Sequence, residues 1–207
     1  MLSEGRRYRI DQLIVALALI LLFVTPGLAQ PQEPSRTEIA AGGAFRVSFS
    51  PDCELNKCSF GTTGWWVSPA YYVADRVAVV GEVAGSYGNV DDLVPAFIPV
   101  ALDTSVGTHS FGGGIRVTGS RVRRVVPFVQ GIVSYDRNNA SVSALGLRES
   151  MSFSGIGFDA SVGVDIGITS RSAVRVVGGY GIGRSEGEST HELGVGAGVV
   201  FGLGGRR

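Results

Sequence analysis

Between Phe158 and Ile168 every second position is apolar (Phe158, Ala160, Val162, Val164, Ile166, Ile168), and Asp159, Ser161, Gly163, Asp165 and Gly167 fill the positions between. Side chains of an extended strand point alternately to its two faces, so this segment places its two halves in chemically different surroundings. A helix would smear the same residues around its circumference. The polar face combines charges with residues too small to fill a soluble core.

The same period recurs along the chain. Strands are expected near Ala40 to Ser50, Thr62 to Val73, Val77 to Tyr87, His109 to Thr118, Val125 to Asp136, Phe158 to Ile168, Val174 to Ile182 and Leu193 to Leu203. Tight turns at Ala74-Asp75-Arg76, Ser120 to Arg124 and Ser170-Arg171-Ser172 alternate with longer polar connections, one from about Gly88 to Ser105 and one through Asn138, Asn139, Arg148 and Glu149. Eight strands with alternating short and long connections describe an up-and-down antiparallel sheet. A soluble sandwich would bury the Val, Ile and Phe face and show the polar one to water. Here glycine, serine and a few charges suit a narrow lumen, the apolar face suits lipid, and strands of about 9 to 11 residues cross a bilayer when tilted. The 31 glycines fit that reading and not a helical bundle. The expected fold class is therefore all-β, an eight-stranded antiparallel up-and-down transmembrane β-barrel.

Ahead of it, Arg6, Arg7 and Arg9 precede an apolar run from Leu13 to Val24, then Pro26 and Gly27-Leu28-Ala29. Twelve apolar residues as a helix reach about 18 Å, short of a hydrocarbon core of about 30 Å. Residues 1–29 are read as a cleaved signal peptide, 30–38 as a flexible Pro-rich leader, and 39–207 as the barrel. The whole chain balances 18 Lys and Arg against 18 Asp and Glu; cleavage removes three Arg and two acids, leaving 15 against 16. That balance offers no electrostatic footprint for nucleic acid. Export exposes Cys53 and Cys58, four residues apart in sequence gap, to an oxidising compartment; with no His nearby, a local disulfide is expected rather than a metal site.

Acidic residues gather in the long connections (Asp52, Glu54, Asp91, Asp92, Asp103, Glu149, Glu186, Glu188) and arginines in the short turns (Arg76, Arg121, Arg123, Arg124, Arg171). The two ends of the barrel thus differ in sign.

Several passages carry a family likeness: Tyr71 to Gly88 (YYVADRVAVVGEVAGSYG), Val126 to Gly131, Val162 to Ile168 with Val174 to Val177, and the closing Gly194 to Gly202 (GVGAGVVFG). In that order the chain resembles the bacterial outer-membrane β-barrel family related to the transmembrane domain of outer membrane protein A, over nearly all of residues 39–207. The resemblance implies an outer-membrane location, long loops facing outward and short turns facing the periplasm. It implies outer-membrane lipids and the barrel assembly machinery as partners, the latter reading an aromatic residue near the end, for which Phe201 is the candidate. An extracellular ligand at the loops is the remaining candidate partner; no cofactor is expected.

Five charged residues, Glu82, Arg116, Asp159, Asp165 and Arg175, fall on the polar phase and are expected to pair inside the lumen. Trp65, Trp66, Tyr71, Tyr72 and Tyr87 lie near strand ends and are expected in the membrane interface. The rival enzymatic reading, a lipid-modifying barrel, rests on His109 beside Ser110 and on Ser189, His191 and Glu192; adjacency puts His109 and Ser110 on opposite faces, so no catalytic role is expected. A soluble barrel binding an apolar ligand inside is the other rival, opposed by Asp159 and Asp165 on the lumen phase.

Overall fold

A computed structural model describes residues 35–49, 59–89, 103–144, 147–185 and 188–203. They form eight strands: β1 Thr37–Phe49, β2 Ser59–Ala74, β3 Val77–Asn89, β4 Asp103–Thr118, β5 Val125–Ala144, β6 Leu147–Gly167, β7 Ser172–Ser185 and β8 Glu188–Leu203. Each pairs antiparallel with its neighbours in sequence, and β1 pairs with β8 from Thr37↔Leu203 to Phe49↔His191, closing the barrel. Closure leaves no sheet edge along the shared height of the strands.

Alternation decides which face is which. Outward lie Val79, Val83, Phe111, Ile115, Val129, Val133, Phe158, Val162, Val195 and Phe201, all well exposed. Inward lie small apolar residues such as Ala40, Ala70, Ala78, Ala84 and Ala173 together with the charges of the lumen. Burial in this molecule is therefore lumenal; most of its large hydrophobics are on the outside, with Trp66, Tyr72, Phe128 and Ile132 among those turned inward.

Six strands begin before their expected starts, at Thr37, Ser59, Asp103, Leu147, Ser172 and Glu188, and two differences bear on the barrel's interior and rim. β1 begins at Thr37, so Glu38, expected to end the leader, is a strand residue. The polar stretch around Asn138, Asn139, Arg148 and Glu149, expected as a loop, is paired strand, with Asn139 opposite Ser152 and Val142 opposite Glu149. On the outward face of this hairpin the apolar pattern stops at Tyr135 and Ile156, while backbone pairing runs on to Ala144↔Leu147. Loss of alternation marks the end of the apolar belt; the hydrogen-bonded ladder continues because its groups are satisfied with or without apolar side chains. β5 and β6 consequently have 20 and 21 residues against 13 in β1 and β3. The short turns 75–76, 119–124 and 168–171 close the opposite end.

Residues 1–29, expected as a signal peptide, residues 30–34 of the expected leader, and Cys53 and Cys58, expected to form a disulfide, lie outside the described residues.

Candidate functional site

Toward the short-turn end the lumen is filled by a charge cluster. Glu38 Oε1 accepts from Arg116 Nη1 at 2.7 Å and from Arg175 Nη2 at 3.1 Å. Arg175 also donates to both carboxylate oxygens of Asp165, Nε to Oδ1 at 2.7 Å and Nη2 to Oδ2 at 2.8 Å. Arg116 adds two bonds to Gln130 Oε1, at 2.9 and 2.7 Å. Two guanidinium groups thus meet two carboxylates, and the side chains are at most 5% exposed. Such a buried set is tolerable because the charges balance and, Arg175 Nη1 apart, the bonded donors are directed at acceptors.

The register explains why these residues meet. Asp165 and Arg175 are Cα partners on β6 and β7, and Arg116 and Gln130 are partners on β4 and β5. Glu38 reaches across from β1 and joins the two pairs. The Phe128 ring sits under both guanidinium groups, 4.9 Å from Arg116 Cζ and 4.7 Å from Arg175 Cζ. Room for that ring comes from Gly163: a Cβ there would stand 2.8 Å from Phe128 Cε1 and 2.6 Å from the Val176 carbonyl oxygen.

Trp66 and Tyr72 complete the plug and correct the interface assignment. Trp66 is 6% exposed and donates Nε1–H to the Gly43 carbonyl at 3.3 Å; Tyr72 is 5% exposed, with the Arg121 guanidinium of the β4–β5 turn stacked 3.4 Å above its ring centroid. Each is the second member of an adjacent aromatic pair, and strand geometry sends only one member of such a pair outward. Trp65, Tyr71 and Tyr87 are the outward ones, at 42%, 50% and 47% exposure.

Above the plug the lumen opens. Glu82 and Asp159, expected in the same network, belong instead to a second charged layer with Arg46 and Glu192, where Arg46 Nη1 lies 3.4 Å from Glu192 Oε2 and Ser48 Oγ donates to Glu192 Oε1 at 3.0 Å. These four side chains line the floor of a cup of about 550 Å³ that widens toward the long-hairpin end, with Thr108, Ser110, Ser134, Asp136 and Asn138 on its walls. A smaller space of about 70 Å³ lies against Arg116, Arg175 and Ser68. The described residues thus form a cup over a charged plug.

The residues of the enzymatic rival are not assembled. His109 faces outward, edge-on to Tyr87 with ring centroids 5.7 Å apart, whereas Ser110 lines the cup. His191 also faces outward, its Nδ1 hydrogen-bonded to the Tyr180 hydroxyl and its ring stacked on Phe49 at 5.7 Å. Glu192 points the other way, into the lumen. A serine, an imidazole and a carboxylate within mutual hydrogen-bond reach, the arrangement a nucleophilic site needs, is not formed by these residues. No group of three or more His, Cys, Asp or Glu suited to a metal ion occurs among the described residues.

Glu38 and Arg46 are the functional residues that sequence reading left out. Both sit on the lumen phase of β1: counting back by twos from Ser48 gives Arg46, Ala44, Gly42, Ala40 and Glu38. The Pro-rich stretch before Glu38 masked the first of these.

No family model matches the chain, and no curated protein matches it. Solved structures do. Ail, the attachment invasion locus protein of Yersinia pestis, superposes with a TM-score of 0.57 at 16% identity, covering 81% of this chain and 99% of its own. Neisserial surface protein A gives 0.56 at 18%, covering 82% and 98%. The outer membrane protein OprG of Pseudomonas aeruginosa gives 0.53 at 11%, covering 83% and 98%. These likenesses carry the fold. The chain is a closed eight-stranded antiparallel β-barrel of the kind those proteins share.

Proposed function

We propose that this chain is an outer-membrane protein of structural or surface-interaction type, whose outward hairpins meet extracellular partners and whose lumen does not serve as a wide pore. One observation carries the reading: large hydrophobics cover the outside of a closed barrel whose inside holds the charges. In water that arrangement exposes apolar surface far beyond what a monomer tolerates; in lipid it is the required one. Outer-membrane lipids and the assembly machinery, with Phe201 as its aromatic signal, are the partners this reading implies. Export through a signal peptide removed after Ala29 and a Cys53–Cys58 disulfide belong to it too. So does kinship with the transmembrane domain of outer membrane protein A, supported by the ordered set of eight strands.

A surface-interaction role is supported by the long β5–β6 hairpin, which rises beyond the apolar belt and carries polar residues outward from Arg137 onward. Ail has been solved in complex with the heparin analogue sucrose octasulfate; a sulfated saccharide is accordingly the first extracellular ligand class for this chain. A non-enzymatic role is supported by the dispersal of His109, Ser110, His191 and Glu192 over two faces.

The test is fractionation of expressing cells combined with epitope tags. A tag inserted between residues 145 and 146 should be stained on intact cells, and one inserted between Val122 and Arg123 only after permeabilisation. Recovery of the untagged chain in the soluble periplasmic fraction would refute the proposal.

A further inference from the structure

On the outward phase of the strands the carboxylate Asp103 stands at the first position of β4, opposite Ser143 and three outward steps beyond His109. Glu38, Glu82, Asp136, Asp159, Asp165 and Glu192 all occupy lumen-facing positions. Closer to the apolar belt the outward ionisable groups are basic: His109, Arg137, Arg184 and His191 all lie toward the long-hairpin ends of their strands. Resting on the membrane reading above, we propose that His109 and Arg137 form a head-group site for a phosphate-bearing lipid of the outer leaflet.

The register puts the two side by side. His109 and Arg137 are Cα partners on β4 and β5, and Ser154 of β6 continues the row. The next row toward the membrane centre is Phe111, Tyr135 and Ile156, again direct partners, exposed by 55%, 54% and 65%. Within one step of two residues the surface passes from apolar to cationic on both strands. A lipid has that polarity along its own length: acyl chains against Phe111, Tyr135 and Ile156, and a phosphate at the height of Arg137. A free anion or an acidic peptide would use the cation but leave the adjoining apolar row unexplained.

Chemistry favours phosphate. The guanidinium presents parallel N–H donors that match phosphate oxygens, and an imidazole N–H adds a further donor. Arg137 is exposed, and its sequence neighbour Asp136 faces the cup, accepting from Ser134 at 2.9 Å, so that carboxylate is turned away from the site. His109 is half-buried with Tyr87 against its ring, which fixes the imidazole beside Arg137. Clustered arginines near a membrane surface attract anionic head groups by Coulomb energy that acts over about 8 to 10 Å at physiological salt.

The experiment places the full chain in phosphatidylcholine nanodiscs containing a minor fraction of phosphatidic acid, and measures the phosphatidic acid that stays bound on release, by native mass spectrometry. Arg137→Gln is expected to lower its retention about fivefold, and His109→Gln by less. Arg171→Gln, in a short turn at the opposite end, serves as the control and should leave most of it. Heat-modifiable gel mobility verifies that each variant is folded. A chain that enters the discs but retains phosphatidic acid equally in wild type and Arg137→Gln overturns the site. Equal losses in Arg137→Gln and Arg171→Gln also overturn it, since diffuse charge would then suffice. A chain that does not enter the discs overturns the membrane reading, and the site with it.

Discussion

Replacing Glu38 by Gln removes the one negative charge shared by both arginines of the plug. Arg175 keeps its two bonds to Asp165, but Arg116, 1% exposed, is left with Gln130 and no carboxylate within reach in the described cluster. Leaving a buried cation uncompensated costs about 3 to 5 kcal/mol, against about 1 kcal/mol for loss of an ordinary neutral hydrogen bond. Glu38→Gln should therefore destabilise the barrel by about 3 to 5 kcal/mol, read as a lowered urea midpoint for unfolding from lipid vesicles, followed by tryptophan fluorescence and by the folded band on unboiled gels. The double variant Glu38→Gln with Arg116→Gln removes the stranded charge with its partner, so it should be more stable than the two single losses summed, with a coupling of about 1 to 3 kcal/mol. Asp159→Asn, in the solvated second layer, should stay within about 1 kcal/mol of wild type. A Glu38→Gln midpoint indistinguishable from that of Asp159→Asn would refute the assignment of Glu38 as the keystone of the plug.

The belt and the plug make further tests available. Gly163→Ala drives a methyl group into the Phe128 ring and the Val176 carbonyl, so it should cost about 1 to 3 kcal/mol in the same unfolding assay. Val162→Arg, on an outward position 62% exposed and midway along the belt, should cost about 2 to 4 kcal/mol in a bilayer; Ser152→Arg, on the same face above the belt, should lie within about 0.5 kcal/mol. Vesicles carrying the wild-type protein should not swell in isotonic small sugars, because the Glu38, Arg116, Arg175 and Asp165 cluster with Phe128 closes the lumen; sugar-driven swelling would show that the plug opens.

Much of this architecture was legible in the alternation of residues. The phase of β6 alone, with Asp159 and Asp165 inward and Val162 outward, sets which face meets which medium, and the tight turns at 75–76 and 168–171 set the antiparallel order. Legibility failed where a different physical effect took over. Beyond Tyr135 and Ile156 the backbone ladder persists without an apolar face, so composition there resembles a loop. Trp66 and Tyr72 were assigned by residue type, although parity with Trp65 and Tyr71 already required one of each pair to turn inward. The division of the charged side chains into the plug of Arg116, Asp165 and Arg175 and the cup layer of Glu82 and Asp159 depends on cross-strand register, which the pattern within a single strand does not contain. Glu38 depended on following the phase of β1 back into a Pro-rich stretch.

Fluorescence quenching with brominated lipids distinguishes a barrel whose outside meets acyl chains, and whose inside does not, from any other arrangement. The chain has two tryptophans, adjacent in sequence and on opposite faces. With Trp66→Phe only the outward Trp65 remains, and with Trp65→Phe only the lumenal Trp66. In brominated-lipid vesicles the account predicts strong quenching of the first variant and weak quenching of the second. Equal quenching of both, or the reverse order, would contradict it.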